Sequence, residues 1–453
     1  MTNTPPEQHP LTRRTSGPFP LVSATLESGA IVEMVYRPKG ARTAFVVWER
    51  ETWRYADRVE LGPGRPAVPY SPHNNLIRHE VVLFPSGPEE YGSEAELLGE
   101  IQSFIHRYVD VSPLYEKIAT YYVLLSWIYD SFNELPYLRL KGDPGSGKTR
   151  FLLTMGSLCY KPIFASGAST VSPLFRILDA FRGTLIVDEA DFRLSDERAE
   201  IIKILNNGNA KGFPVLRSEV SPTREFNPRA YAVFGPKLVA TRRPFEDRAL
   251  ESRCITEEMG QSRLREDVPI NLPATHKEEA LRLRNKLLLF RFRNLGKRTP
   301  QEDLVDRSIE PRLNQIFVPL LSIADDPAAR AELKELARQY HRETVEARGM
   351  DLEAELLEII RELRGSSPEG RVALQEITAG FNDRQTSEHD RRTVRWVGAT
   401  IRKRLGLKTR KSHGTFVVPS SEMGKLPRLY ERYGLGAEEQ SARAPSDEEM
   451  LSG

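Results

Sequence analysis

Gly142-Asp143-Pro144-Gly145-Ser146-Gly147-Lys148-Thr149 is the stretch on which the reading of this chain turns. It satisfies GxxxxGK[ST] at every fixed position, and its context is the one that motif requires. Tyr137-Leu-Arg-Leu140 before it reads as a buried strand, and a helical period runs from Thr149 to Leu158 after it. In such a strand, loop and helix, successive backbone N–H groups and the helix N-terminus face phosphate oxygens. Lys148 is expected on the β- and γ-phosphates of a nucleotide, and Thr149 on its magnesium ion.

A phosphate cradle needs carboxylates nearby, for the metal and for the attacking water. Thr184-Leu-Ile-Val-Asp188-Glu189 supplies them at the carboxyl end of a second strand, where open α/β sheets place their ligands. Asp188 is assigned to the metal through water and Glu189 to the attacking water. Strands and helices alternate from Pro136 to Met259, so the expected fold class is α/β, with a parallel sheet flanked by helices.

With both motifs in place the chain resembles the AAA+ superfamily of P-loop ATPases, whose cofactors are ATP and Mg2+. The resemblance implies a polar sensor at the end of a following strand, here Thr241 of Lys237-Leu-Val-Ala-Thr241, and an arginine finger presented to a neighbouring subunit. Arg253 is the finger candidate, with Arg242, Arg243 and Arg248 as competitors. A finger acting between subunits implies a homo-oligomeric ring, a hexamer by family expectation. Lysine and aspartate of the two motifs stand only 40 positions apart, Lys148 to Asp188. That compact core is similar to superfamily-three helicases of viruses, plasmids and integrated elements, which carry Asn where this chain has Thr241. The resemblance also implies a helical lid at Leu281 to Arg293, with Arg282 or Arg284 reaching the γ-phosphate. Ring-lining elements are implied around Ile204 to Arg217, where Lys211 and Arg217 are the basic candidates.

A second informative region follows. From Arg391 to Ser421 there are nine basic residues, Arg391, Arg392, Arg395, Arg402, Lys403, Arg404, Lys408, Arg410 and Lys411, and no acidic one. Helical periods at Leu352–Leu363, Val372–Phe381 and Thr393–Leu405 precede a basic-tipped hairpin at Gly406–Val418. Three helices and a hairpin resemble a winged helix-turn-helix, so DNA is the expected partner, through a recognition helix and phosphate contacts from the wing.

The remaining composition sets bounds. A chain of 453 residues suggests about three domains. With 39% hydrophobic and 28% charged residues, wholesale disorder is excluded. Net charge is only +2, so the basic stretch is balanced elsewhere. Two cysteines without a CxxC exclude a disulfide scaffold and a Cys-based zinc site, and point to a reducing cytoplasm. The N-terminus lacks an apolar signal core, and the longest apolar stretch, Ile118–Ile128, is about half a membrane span. No membrane association is expected.

The expected organisation is a leader at 1–20, a small β-rich domain at 21–93 and a helical linker at 94–135. The AAA+ core follows at 136–260, a helical lid or bundle at 261–349, a winged-helix-like DNA-binding domain at 350–425 and a tail at 426–453. The function expected is an ATP-hydrolysing motor on DNA, a helicase or replication-associated ATPase. The alternatives are an ATP-switched DNA-binding regulator or loader, and a protein-remodelling ATPase.

Overall fold

The computed structural model describes residues 17–166, 171–188, 195–218, 227–261, 263–349, 352–365, 370–385, 391–412 and 414–435. They form two units, Met1–Glu335 and Leu336–Gly453. The first begins with seven short strands: β1 (Phe19–Leu21), β2 (Ser23–Thr25), β3 (Ile31–Arg37), β4 (Arg42–Glu49), β5 (Thr52–Ala56), β6 (Val59–Glu60) and β7 (Pro66–Pro69). Strands β2 to β5 make an antiparallel meander in sequence order, and β1, β7 and β6 a small mixed sheet.

After the short α1 (Asn75–Arg78) come two helices, α2 (Glu94–Tyr108) and α3 (Pro113–Trp127). Their starts are set locally. Ser93 Oγ accepts from Glu96 N while Glu96 Oε2 accepts from Ser93 N at 2.7 Å, a reciprocal cap. Ser112 caps the second helix, with Pro113 at its first turn, where the missing N–H costs nothing.

The α/β layer then runs β8 (Tyr137–Lys141), α4 (Lys148–Gly156), β9 (Ile163–Ser166), α5 (Val171–Phe181), β10 (Leu185–Asp188), α6 (Ser195–Asn207), β11 (Val215–Arg217), β12 (Arg229–Tyr231), β13 (Lys237–Thr241), α7 (Arg248–Glu251) and β14 (Cys254–Glu258). Five of these strands form one sheet, in the order β14-β8-β13-β10-β9, and every pairing is parallel. Leu185, Ile186 and Val187 of β10 are all buried, as expected of a strand covered on both faces. This is a mixed α/β fold with the layout of a P-loop nucleotide-binding core. Strands β11 and β12 stand apart as an antiparallel hairpin.

The β-rich segment shares its core with this layer. One apolar cluster joins Val32, Met34, Phe45 and Val47 to Phe175, Leu185, Val187 and Tyr231. A buried ionic group ties the same pieces together. Glu33 of β3 receives Arg291 Nε at 2.7 Å, Tyr160 OH at 2.7 Å and Lys161 Nζ at 3.1 Å, while Arg291 also grips Asp130 with two nitrogens. Burial lowers the Lys161 pKa to about 8 despite Glu33, whereas Asp130, Tyr160 and Glu33 together hold Arg291 well above its ordinary value. Removing one partner from such a buried set costs about 3–5 kcal/mol.

Helices α8 (Thr275–Asn294), α9 (Pro311–Ile323) and α10 (Pro327–Gly349) follow, the unit boundary falling within α10. The lid expected at Leu281–Arg293 lies inside α8, which packs with α2 and α3, and Phe292 stacks on Trp48 at 5.5 Å.

The second unit comprises α11 (Leu352–Gly365), β15 (Val372–Ala373), α12 (Leu374–Arg384), α13 (Val394–Lys403), β16 (Arg410–Ser412), β17 (Thr415–Val418) and α14 (Leu426–Arg432). Its strands form an antiparallel sheet ordered β15-β17-β16 over a core that includes Leu357, Ile360, Ile377, Phe381, Val397, Ile401 and Val418. Val372 and Ala373, read from sequence as helical, are extended because they pair with Val418 and Val417.

Candidate functional site

All five parallel strands end on the same edge of the sheet, and there the glycine-rich loop follows β8. Gly145 and Gly147 hold φ of +83° and +93°, values that L side chains rarely adopt. Gly142 is needed for a different reason: a Cβ there would stand 2.6 Å from Met259 O, where the chain leaving β14 crosses the loop. Gly147 caps α4, whose first residue is Lys148, so the loop ends on a helix N-terminus.

Lys148 Nζ donates to Gly142 O at 2.6 Å, Asp143 O at 2.7 Å and Ser146 Oγ at 3.3 Å. These acceptors belong to the loop itself, so phosphate oxygens can replace them without breaking the fold. Thr149 Oγ1 donates to Asp188 Oδ2 at 2.7 Å, joining the helix start to the end of β10. Between β8 and β10 lies β13, and its last residue, Thr241, is buried with an Oγ1 that has no hydrogen-bond partner. Leaving a hydroxyl buried and unpaired costs about 1–3 kcal/mol. A cavity of about 330 Å³ is lined by Pro144 to Thr149, Asp188, Ala240, Thr241 and Arg242.

Two hard oxygens in contact, from Thr149 and Asp188, fit a magnesium ion that keeps water and takes phosphate oxygens for its remaining positions. Among the described residues no three His, Cys, Asp or Glu gather into a metal cluster. Glu189 lies outside the described residues. Arg242 is a lining residue that the sequence offered only as a competing finger; its position directly after β13 was the available signal.

Arg253 lies at the other edge of the sheet, just before β14, and its carbonyl accepts from Tyr137 N at 2.9 Å. Its guanidinium donates to Asn209 Oδ1 at 2.8 Å, Asn206 Oδ1 at 3.0 Å and the Ala249 carbonyl. Asn206 is held in turn by Asp247, which caps α7. Partial burial and the nearby Arg312 lower the Arg253 pKa from its usual value. Within its own chain Arg253 does not reach the cavity.

Nor do the expected lid arginines. Arg284 is buried and donates to Ser157 O at 2.7 Å and Phe84 O at 3.4 Å, and Arg282 lines a separate depression beside Glu96, Glu100 and Glu279. Arg284 and Arg291 of α8 turn inward, to backbone carbonyls and to the carboxylates of Glu33 and Asp130, whereas Arg282 is exposed. Lys211 Nζ donates to Asp130 O at 2.7 Å, and Arg217 pairs with Glu200 while lying over Phe175. Beside them Phe213 and Leu216 are exposed, at 65% and 63%.

In the second unit, Arg391, Arg395, Arg402, Lys403, Arg404, Lys408, Arg410 and Lys411 are exposed, and Arg392 is half-buried over Trp396. Arg395, Ala399 and Arg402 share one stripe of α13, opposite the buried Val397 and Ile401. Arg402 donates to Thr409 Oγ1 at 2.9 Å, and Arg404 pairs with Glu353 at 2.6 Å.

No family model and no curated protein matches this chain. Solved structures to which it is similar include the NrS-1 C-terminal region, at 11% identity and a TM-score of 0.37, covering 86% of this chain and 96% of that one. Another is the active helicase Cch of SCCmec type IV, at 10% identity and a TM-score of 0.35, covering 91% and 95%. A third is Cdc6p from Pyrobaculum aerophilum, at 12% identity and a TM-score of 0.22, covering 74% and 96%. Among the described residues no helix is long and apolar enough to cross a membrane.

Proposed function

We propose that this chain is an AAA+ ATPase that hydrolyses ATP with Mg2+ and acts as a motor on DNA. The observation that carries the reading is the insertion of β13 between β8 and β10, which brings the unpaired Thr241 hydroxyl into one cavity with Lys148, Thr149 and Asp188. In this reading Lys148 and the loop N–H groups neutralise charge on the transferring phosphoryl group. Thr149 and Asp188 hold the metal, Glu189 orients water, and Thr241 senses the γ-phosphate. Arg253 serves as the finger to the next subunit of a ring, which requires its guanidinium to exchange Asn206 and Asn209 for phosphate.

The second unit is proposed as a winged helix, because its elements run α-β-α-α-β-β with a three-stranded antiparallel sheet. Its α13 presents Arg395 and Arg402 to the major groove, and Arg410 and Lys411 of the wing contact phosphates. The hairpin β11–β12 is proposed to face DNA in the ring channel.

The test is ATPase rate against protein concentration, with and without single-stranded DNA. Stimulation by DNA and a rate per protomer that rises with concentration are expected. A concentration-independent rate indifferent to DNA at low salt would exclude the ring motor. Footprinting separates the regulator: a discrete protected sequence favours it, whereas salt-sensitive, sequence-independent binding favours the motor.

A further inference from the structure

Seven residues apart on α8, and so on one face of it, stand two buried arginines with opposite surroundings. Arg291 is met by two carboxylates, those of Glu33 and Asp130. Arg284, 7% exposed, is given, among the described residues, the carbonyls of Phe84 and Ser157 and no paired carboxylate. The carboxylate that bears on it, Glu80, is itself paired with Lys277 Nζ. A guanidinium taken out of water without a counter-ion is costly, and an anion completes it.

Arg284 lines a cavity of about 1030 Å³ between the β-rich segment, the end of α4 and α8. Its walls are largely apolar, formed by residues such as Tyr36, Tyr55, Phe84, Phe164 and Leu281. The other lysines, arginines and carboxylates of the lining are Arg37, Lys39 and Lys277 against Glu80, Glu89 and Glu278, three of each sign. They cancel, leaving Arg284 as the net charge. Balance of that kind suits one negative charge on an apolar body and does not suit a polyphosphate, and the volume lies at the upper end of small-ligand pockets.

We propose that this cavity is a second ligand site, taking a carboxylic acid with an apolar aliphatic or aromatic body whose carboxylate pairs with Arg284. The site has a route to the nucleotide pocket. Arg284 Nη1 donates to the carbonyl of Ser157, the residue that closes α4, and Leu153 of the same helix lines the cavity although 43% exposed. The first residue of that helix is Lys148. A carboxylate that shares Arg284 with Ser157 therefore acts on the helix that carries the phosphate loop, and its effect on nucleotide affinity is returned equally by nucleotide on acid affinity. Binding stands on the cavity alone; the coupling rests on the nucleotide reading given above.

The experiment is isothermal titration of the full chain with octanoate, and with octanol as the neutral control. Saturable one-to-one binding of octanoate is expected, about tenfold or more tighter than octanol. Arg284→Met should lose that preference. Because Arg284 also caps α4 and its loss can disturb folding, Leu281→Trp provides a second arm, narrowing the cavity with Arg284 in place and weakening octanoate binding in a folded chain. Equal binding of acid and alcohol, or wild-type octanoate binding by folded Leu281→Trp, overturns the site. Saturating octanoate should shift the affinity for a fluorescent ATP analogue by about twofold or more. An unchanged affinity overturns the coupling, and failure to bind the analogue at all, with octanoate binding intact, overturns the nucleotide reading instead.

Discussion

The two edges of the five-stranded sheet each hold a lysine bonded to backbone carbonyls, and the two lysines do opposite things. At the carboxyl edge, Lys148 rests on acceptors of its own loop, next to a cavity and to the unpaired Thr241 hydroxyl. At the amino edge, Lys237 is fully buried, and its Nζ donates to Gly208 O at 3.1 Å, Val233 O at 2.9 Å and Gly235 O at 3.0 Å. Those three carbonyls flank the hairpin β11–β12 on both sides. Gly208 must be glycine, since a Cβ there would collide with Lys237 Nζ and stand 2.6 Å from Val233 O. One lysine lines a cavity, while the other shapes the base of the hairpin. Both ends belong to one mechanical element, because β13 begins at Lys237 and ends at Thr241.

The largest effect expected separates the edges by chemistry. Lys148→Ala should lower ATP turnover by about 10³-fold, the scale on which phosphoryl-transfer cations act, with thermal stability unchanged. Lys237→Met should do the reverse. Three buried carbonyls lose their donor, at about 1–3 kcal/mol for a group left unsatisfied, so denaturant midpoint should fall. Once folded, this variant should retain nucleotide binding, measured with a fluorescent analogue. If Lys237→Met instead leaves stability intact and abolishes nucleotide binding, the division between the edges is wrong.

The loop at the carboxyl edge was legible in the sequence because the motif GxxxxGK[ST] has fixed spacing: Gly145 and Gly147 take positive φ, Lys148 opens α4, and Thr149 meets Asp188 at the end of a buried strand. The amino edge imposes no spacing, so Lys237 passed for an ordinary strand-opening residue. Long-range pairing hides in the same way: Glu33 and Arg291 meet across 258 positions, and no local pattern announces it. For that reason the β-rich segment read as a separate domain, and the α8 arginines read equally as candidates for the γ-phosphate and as snorkelling or salt-bridged residues of a half-buried helix. In the second unit the helical periods were strong; Val372 and Ala373 went astray because their extended form depends on β17, and Leu426 to Arg432, expected as the start of a tail, instead form α14 and bury Leu426 and Leu429 in the core.

Thr241→Val tests the shared strand with a smaller effect. Removing a hydroxyl that has no partner in the resting chain should leave stability unchanged or raise it slightly, while a sensor contact made only during turnover is lost. The expected outcome is a fall of about tenfold in kcat with KM little altered, read from steady-state ATPase kinetics. Loss of stability with normal kcat would instead show that Thr241 is structural.

The smallest effect is a pH dependence peculiar to the amino edge. Burial lowers the Lys237 pKa to about 7 from an ordinary 10.5. Between those values the unfolded chain holds a proton that the folded chain has released. Stability contributed by this residue therefore rises with pH across the window, by on the order of 1 kcal/mol per pH unit, and is lowest below about pH 7, where both states are protonated. Lys161, lowered to about 8, adds a dependence of the same sign from about pH 8 upward. The difference between wild type and Lys237→Met isolates the first from the second. From pH 7 to 8 the wild-type denaturant midpoint should climb relative to the variant. Parallel curves over that interval would mean that the Lys237 ammonium keeps its proton, bound tightly enough by the three carbonyls to offset its burial.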